Sequence, residues 1–154
     1  MTEFSNELPT VPTILPGGCA VDDRGELTFI NGFPLSDFKR FYTVSNHSQG
    51  FIRAWHGHML ESKVFFVLNG SILACAVKMT DKISPDKGQV VERKVLSSKN
   101  PSGFFIPAGY ANGFMSLTED AQLMVFSNTT LEESQGDDYR FPFDYWNPWE
   151  VVPR

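Results

Sequence analysis

The chain holds only two cysteines, Cys19 and Cys75, in 154 residues. That number excludes a disulfide framework, and Cys75 inside the apolar run SILACAVKM reads as a buried core thiol. No apolar run approaches the length needed to span a bilayer, which excludes a membrane-embedded helix. The opening MTEFSNELPTVPTILPGG has no basic start followed by an apolar stretch, so it reads as no signal peptide, and a reducing cytoplasm is the expected compartment. Basic residues are also scarce. The formal net charge is −5, which argues against a partner bound through a phosphate backbone, while leaving room for a local basic pocket that takes one small anion. No basic recognition helix is visible, so nucleic acid is not an expected partner.

What is present is β-structure. Hydrophobic residues make up 42% and charged residues 20%, and fourteen phenylalanines make an aromatic core. The length suits one ordinary domain, residues 1–154. Residues 1–18, with Pro9, Pro12 and Pro16, read as an extended arm. Turn signals at Asp23-Arg24-Gly25 and Asn31-Gly32 are followed by short β-rich runs: FKRFYTVS, FIRAWHGH, KVFFVLNG, SILACAVKM, QVVERKVL, GFFIP, GFMSL and AQLMVFS. KVFFVLNG and SILACAVKM are expected to form a hairpin about Asn69-Gly70. No segment before residue 130 carries a helical period. The pattern predicts an all-β sandwich or barrel, with the aromatic tail, residues 130–154, packed over it.

The candidate chemistry lies in RAWHGHMLESK. Residues two apart on a strand share a face, so His56 and His58 point the same way, and Ala54 is expected to join them. The spacing Gly50, His56-Gly57-His58, Lys63, Gly70 resembles the first motif of the cupin superfamily, and PAGYAN at 107–112 resembles the second. That resemblance implies a cupin jelly-roll β-barrel with an extended N-terminal arm. Lys63 then takes the place of the ligand glutamate and Asn112 that of a ligand histidine. An ammonium group repels a cation, so no metal and no cofactor is expected. Glu61 is the remaining carboxylate near the motif, as a displaced ligand at most.

Within the cupins, the chain is similar to the sugar-nucleotide epimerases typified by dTDP-4-dehydrorhamnose 3,5-epimerase. NHSQGFIRAWH, SKVFFVLNGSI, SPDKGQVV, FFIPAGYANGF and DDRGEL carry the likeness in order. It implies that His56 is a catalytic base and that Lys63 lies near the sugar's O4. It further implies that Arg53 and Arg24 bind sugar or diphosphate, Arg24 across a dimer interface, with Asn46 in the same pocket wall. The family's histidine-supporting aspartate finds Asn147 at the direct match and Asp144 as a nearby substitute. No tyrosine stands at Thr130 or Leu131, where the family has one; Tyr110, Tyr139, Tyr145 or water are the alternative proton donors. Inversion at C3 of a nucleotide-linked 4-keto-6-deoxyhexose is therefore the preferred expectation, in a homodimer serving a surface polysaccharide. The H-x-H also resembles the nucleotide-sugar 3,4-ketoisomerases, in which both histidines act and His58 joins His56. A double epimerase and a non-catalytic sugar-binding cupin are the other readings.

The residue chemistry points the same way. A C–H beside a ketone is acidic only if a base removes the proton while a cation or donor meets the enolate. His56 and Lys63 supply that pair, with His58 and Asn112 beside them.

Overall fold

The computed structural model describes residues 7–154. The chain runs β1 (Thr13–Pro16), β2 (Gly18–Asp22), β3 (Gly25–Phe29), a short 3-10 turn, β4 (Arg40–Ser45), β5 (Ile52–His58), β6 (Lys63–Asn69) and β7 (Ser71–Lys78). It continues through β8 (Val91–Ser97), β9 (Ser102–Ile106), β10 (Tyr110–Ser116), β11 (Gln122–Ser127), helix α1 (Leu131–Ser134) and β12 (Tyr139–Arg140). Two five-stranded antiparallel sheets result, in the orders β1-β9-β6-β11-β4 and β12-β5-β10-β7-β8, with β2 and β3 as a separate hairpin. This is the all-β jelly roll that the sequence predicts. Among the described residues no helix is long and apolar enough to cross a membrane.

The N-terminal segment enters the fold at its edge, where β1 pairs with β9 from Thr13↔Phe105 to Pro16↔Ser102. The part of the expected arm at residues 1–6 lies outside the described residues. The hairpin expected at Asn69-Gly70 does not form. β6 and β7 belong to different sheets, so the chain crosses the sandwich there. The local turn is still real, because Gly70 sits at φ +67 and a side chain would collide with Thr118 and Asp120.

Why β7 goes to the facing sheet follows from its own alternation. Ile72, Ala74 and Ala76 face the interior cluster with Phe65, Phe104, Ile106, Leu123 and Val125. Leu73, Cys75 and Val77 face a second cluster with Trp55, Met115, Phe141, Trp146 and Trp149. A strand apolar on both faces needs cover on both. The sandwich supplies one layer and the C-terminal tail supplies the other. Cys75 is fully buried, and burial pushes its thiol up to about 12.

Candidate active site

One cavity of about 530 Å³ opens within the sandwich, and six strands contribute to its walls. On β4 the alternation of FKRFYTVS turns Arg40, Tyr42 and Val44 inward. On β5 the inward residues are Arg53, His56 and His58. β6 contributes Lys63 and Phe65, β10 contributes Asn112 and Phe114, and β11 contributes Val125. Glu61 comes from the loop between β5 and β6, while Asp138 and Arg140 reach in from the segment at β12.

Arg53 reaches this wall because β5 is irregular. Asn112 faces His56 across the ladder, but Phe114 faces Arg53, so β5 carries one extra residue opposite Gly113. Simple alternation puts Ala54 with the histidines; the bulge instead turns Ala54 into the cluster beneath the tail and brings Arg53 to the cavity. Gly113 permits the close approach, since a Cβ there would lie 2.6 Å from the Ala54 Cβ.

The sequence-predicted residues divide into two groups. His56, His58, Lys63, Arg53 and Asn112 converge on the cavity. Asn46 stands behind it: its carbonyl accepts from Arg53 Nε at 2.7 Å and its amide donates to Ser116 Oγ at 2.8 Å, so it holds the guanidinium in place. Arg24 and Asp144 are not brought there. Arg24 is exposed on the β2–β3 turn, paired with Asp22, and Asp144 is exposed on the tail outside the cavity lining. The carboxylate that acts on His56 is Asp138, which accepts from Arg140 Nε at 3.0 Å. Nor do Tyr110, Tyr139 or Tyr145 line the cavity; the tyrosine that does is Tyr42.

His58 is held rigidly. Its Nδ1 lies 2.6 Å from the Asp137 carbonyl and 3.3 Å from Glu61 Oε2. A carbonyl can only accept, so Nδ1 carries the proton and Nε2 is a bare acceptor. That Nε2 is buried without a hydrogen-bond partner among the described residues. The Asp137 carboxylate accepts from the backbone N–H groups of Met59, Leu60 and Glu61 at 2.7, 3.0 and 3.0 Å, which pins the loop between β5 and β6.

Electrostatics set the protonation states. Burial and then the Lys63 cation hold His56 down to about 4, with Asp138 opposing. The same two causes lower His58. Burial lowers Lys63, opposed first by Glu61. Burial and then Glu61 push the Tyr42 phenol up to about 12. Near neutrality the site therefore presents two neutral imidazoles and a protonated phenol. Lys63 is 8% exposed, and no described residue hydrogen-bonds its ammonium. The donor set does not fit a divalent cation, because Lys63 occupies the wall where an anionic ligand would be needed. Among the described residues no three His, Cys, Asp or Glu side chains converge as a metal site.

The chain that builds this cavity has a matching family. The profile described as dTDP-4-dehydrorhamnose 3,5-epimerase matches residues 24–140. The chain belongs to that family. It is thereby placed among the cupin isomerases of nucleotide-linked deoxysugars. No curated protein sequence matches the chain. Among solved structures, dTDP-4-dehydrorhamnose 3,5-epimerase from Bacillus anthracis str. Ames, with TDP and PPi bound, is 20% identical, with a TM-score of 0.74 over 98% of this chain and 90% of that one. The QdtA 3,4-ketoisomerase from Thermoanaerobacterium thermosaccharolyticum, a double mutant in complex with TDP, is 23% identical, with a TM-score of 0.67 over 91% and 94%. ChmJ, a 3'-monoepimerase from Streptomyces bikiniensis solved as a double mutant with dTDP, is 16% identical, with a TM-score of 0.74 over 94% and 78%. At these identities the likeness is one of fold, shared by epimerases and ketoisomerases alike.

Sequence reasoning named Glu61 only as a displaced ligand and missed Arg40, Tyr42, Asp137, Asp138 and Arg140. The period-two alternation of FKRFYTVS was signal enough for Arg40 and Tyr42. The others are loop or edge residues that only the tertiary fold brings in.

Proposed function

We propose that the protein epimerises a nucleotide-linked 4-keto-6-deoxyhexose at C3, without a metal, in making a deoxysugar for a surface polysaccharide. The observation that carries this reading is a neutral His56 lining the same cavity as Lys63, whose amino group has no hydrogen-bond partner among the described residues. His56 removes the C3 proton, and the electron pair moves into the C3–C4 enolate. Lys63 and Asn112 meet the charge developing on O4. Return of a proton to the opposite face completes the inversion; Tyr42, with its phenol kept protonated, is the donor from the cavity wall. Arg53, held by Asn46, and Arg140 bind the diphosphate. The active form is a cytoplasmic homodimer. The β2–β3 hairpin, with Val21 74% and Leu27 66% exposed, supports that assembly and offers Arg24 to the partner's substrate.

A second reading, 3,4-ketoisomerisation, is favoured by His58. Its unpartnered Nε2 is a second bare acceptor in the cavity wall. A ketone shift needs proton movement at C3 and at both oxygens, which two neutral histidines suit.

Incubation with dTDP-, CDP- and GDP-4-keto-6-deoxyglucose in D2O, read by NMR, separates the readings. Deuterium at C3 alone is the expected result. Deuterium at C3 and C5 means a double epimerase, and a stable 3-keto product means the isomerase. No exchange with any of the three substrates makes the protein a sugar-binding cupin. His56→Asn is expected to lower C3 exchange by about 10²–10⁴-fold, the contribution of a positioned base. Retained exchange would sink the assignment of His56.

A further inference from the structure

Glu61 is 3% exposed and stands outside the roles assigned so far. Its Oε1 accepts from Ser127 Oγ at 2.5 Å and from Arg40 Nη2 at 3.2 Å, and its Oε2 lies 3.3 Å from His58 Nδ1. Ser127 is the cross-strand partner of Lys63 in the β6–β11 ladder. The carboxylate thus sits at the junction of β4, β5, β6 and β11, touching one residue of three of these strands beside the lysine of the fourth. A charge so deeply buried is costly unless opposite charge and donors surround it, and Glu61 has both.

We propose that Glu61 is a positioning residue: it is the buried counter-anion that keeps the Lys63 ammonium charged inside the cavity and braces His58 beside it. The proposal rests on the reading of Lys63 as the group that meets the enolate oxygen. The titratable and charged groups around Lys63 are Arg40 on β4, the neutral His56 and His58 on β5, Glu61 itself, and Asp137 and Asp138 ahead of β12. Burial and Arg40 favour the neutral amine, while Glu61, Asp138 and Asp137 favour the cation, Glu61 most strongly. The two other carboxylates are engaged elsewhere, Asp138 with Arg140 and Asp137 with three backbone amides. Without Glu61, Arg40 and Lys63 face each other across the cavity wall with no anion between the strands that carry them. An amine that loses its proton there can no longer neutralise an enolate.

The test reads Lys63 directly, without substrate. In protein labelled with 13C at lysine Cε, the Lys63 signal is assigned by its loss in Lys63→Arg and followed through a pH titration. Glu61→Gln is expected to lower the Lys63 midpoint by about one pH unit, the smaller end of what an adjacent opposite charge supplies. Glu61→Asp, which retains the charge, should restore most of the shift. If Glu61→Gln does not fold, Glu61→Gln/Arg40→Gln replaces it, because removing both members of a buried pair leaves no lone charge. Lys63 must still titrate below wild type there, since Glu61 outweighs Arg40. A midpoint unmoved or raised in the variant that folds overturns the proposal. Because the readout needs no turnover, it stands or falls separately from the D2O exchange experiment.

Discussion

Strands β5, β7 and β10 each have two faces, and the two faces are built on opposite terms. Beneath the C-terminal tail, the three tryptophans and Tyr145 are satisfied by the backbone. Trp55 Nε1 donates to the Phe143 and Trp146 carbonyls, both at 3.0 Å. Trp146 donates to Asp86 O at 3.1 Å, Trp149 to Phe143 O at 2.8 Å, and Tyr145 to Pro85 O at 2.5 Å. In the cavity, the Lys63 ammonium, the His56 ring, the Asn112 amide and His58 Nε2 have no hydrogen-bond partner among the described residues. Buried polar groups are ordinarily paired. Among the described residues His58 Nε2 is the one buried side-chain polar atom left unpaired, and it lies on the cavity face.

The sharpest break of this contrast is in stability. Trp55 is fully buried, with ring centroids 5.4 Å from Trp146 and 5.1 Å from Trp149. Trp55→Ala is expected to lower the unfolding free energy by about 3–5 kcal/mol in urea titration, as large-to-small core changes do. Asn112→Ala, on the cavity face of the neighbouring strand, should change it by less than about 1 kcal/mol, because no protein bond is lost. Equal losses from the two substitutions would erase the distinction between scaffold and site.

Next in size is the pH dependence of stability. His56 has a folded-state value lowered from 6.5 to about 4, and His58 is lowered too. Between those limits the unfolded chain binds more protons at these histidines than the native protein, so their contribution to stability falls as pH drops from about 6.5 towards 4 and is flat above that window. His56→Asn is expected to shallow this slope in thermal melts at pH 4.5–7 without lowering the melting temperature at pH 7. An unchanged slope would mean that His56 is solvated like a surface histidine.

How much of this was legible beforehand follows from which forces placed each residue. His56 and His58 are legible because strand alternation puts them on one face, and Lys63 because its spacing from them resembles the cupin motif. Asn112 follows from the likeness to the second cupin motif of PAGYAN, whose turn leads into β10. Arg53 follows from the resemblance alone: alternation gives Ala54, and only pairing against Gly113 reveals the extra residue that brings Arg53 in. Asn69-Gly70 was read as a turn and is one, but a local turn cannot say which sheet the next strand enters. That choice belongs to β7, whose two apolar faces need two covers. Glu61 shows only as a carboxylate beside the motif, and Asp137 and Asp138 carry no local pattern at all. Their positions depend on a tail returning to β5 from about eighty residues away in sequence, a contact that periodicity does not encode.

The smallest expected effect separates two carboxylates on that same tail. Asp144 is exposed beyond the cavity lining, whereas Asp138 lines the cavity and raises the proton affinity of His56. Removing Asp138 leaves burial, Lys63 and Arg140 acting on the imidazole with less opposition, so the base becomes weaker. Arg140 also loses the partner that fixes its Nε at 3.0 Å. One unit of proton affinity corresponds to a factor of about ten, so Asp138→Asn should lower kcat/KM for C3 exchange by roughly tenfold and move its acidic limb to lower pH. Asp144→Asn should stay within about twofold of wild type, with the limb unmoved, as exposed substitutions away from a site do. If the two variants traded places, the tail would have to dock differently during turnover, with Asp144 rather than Asp138 against the histidine.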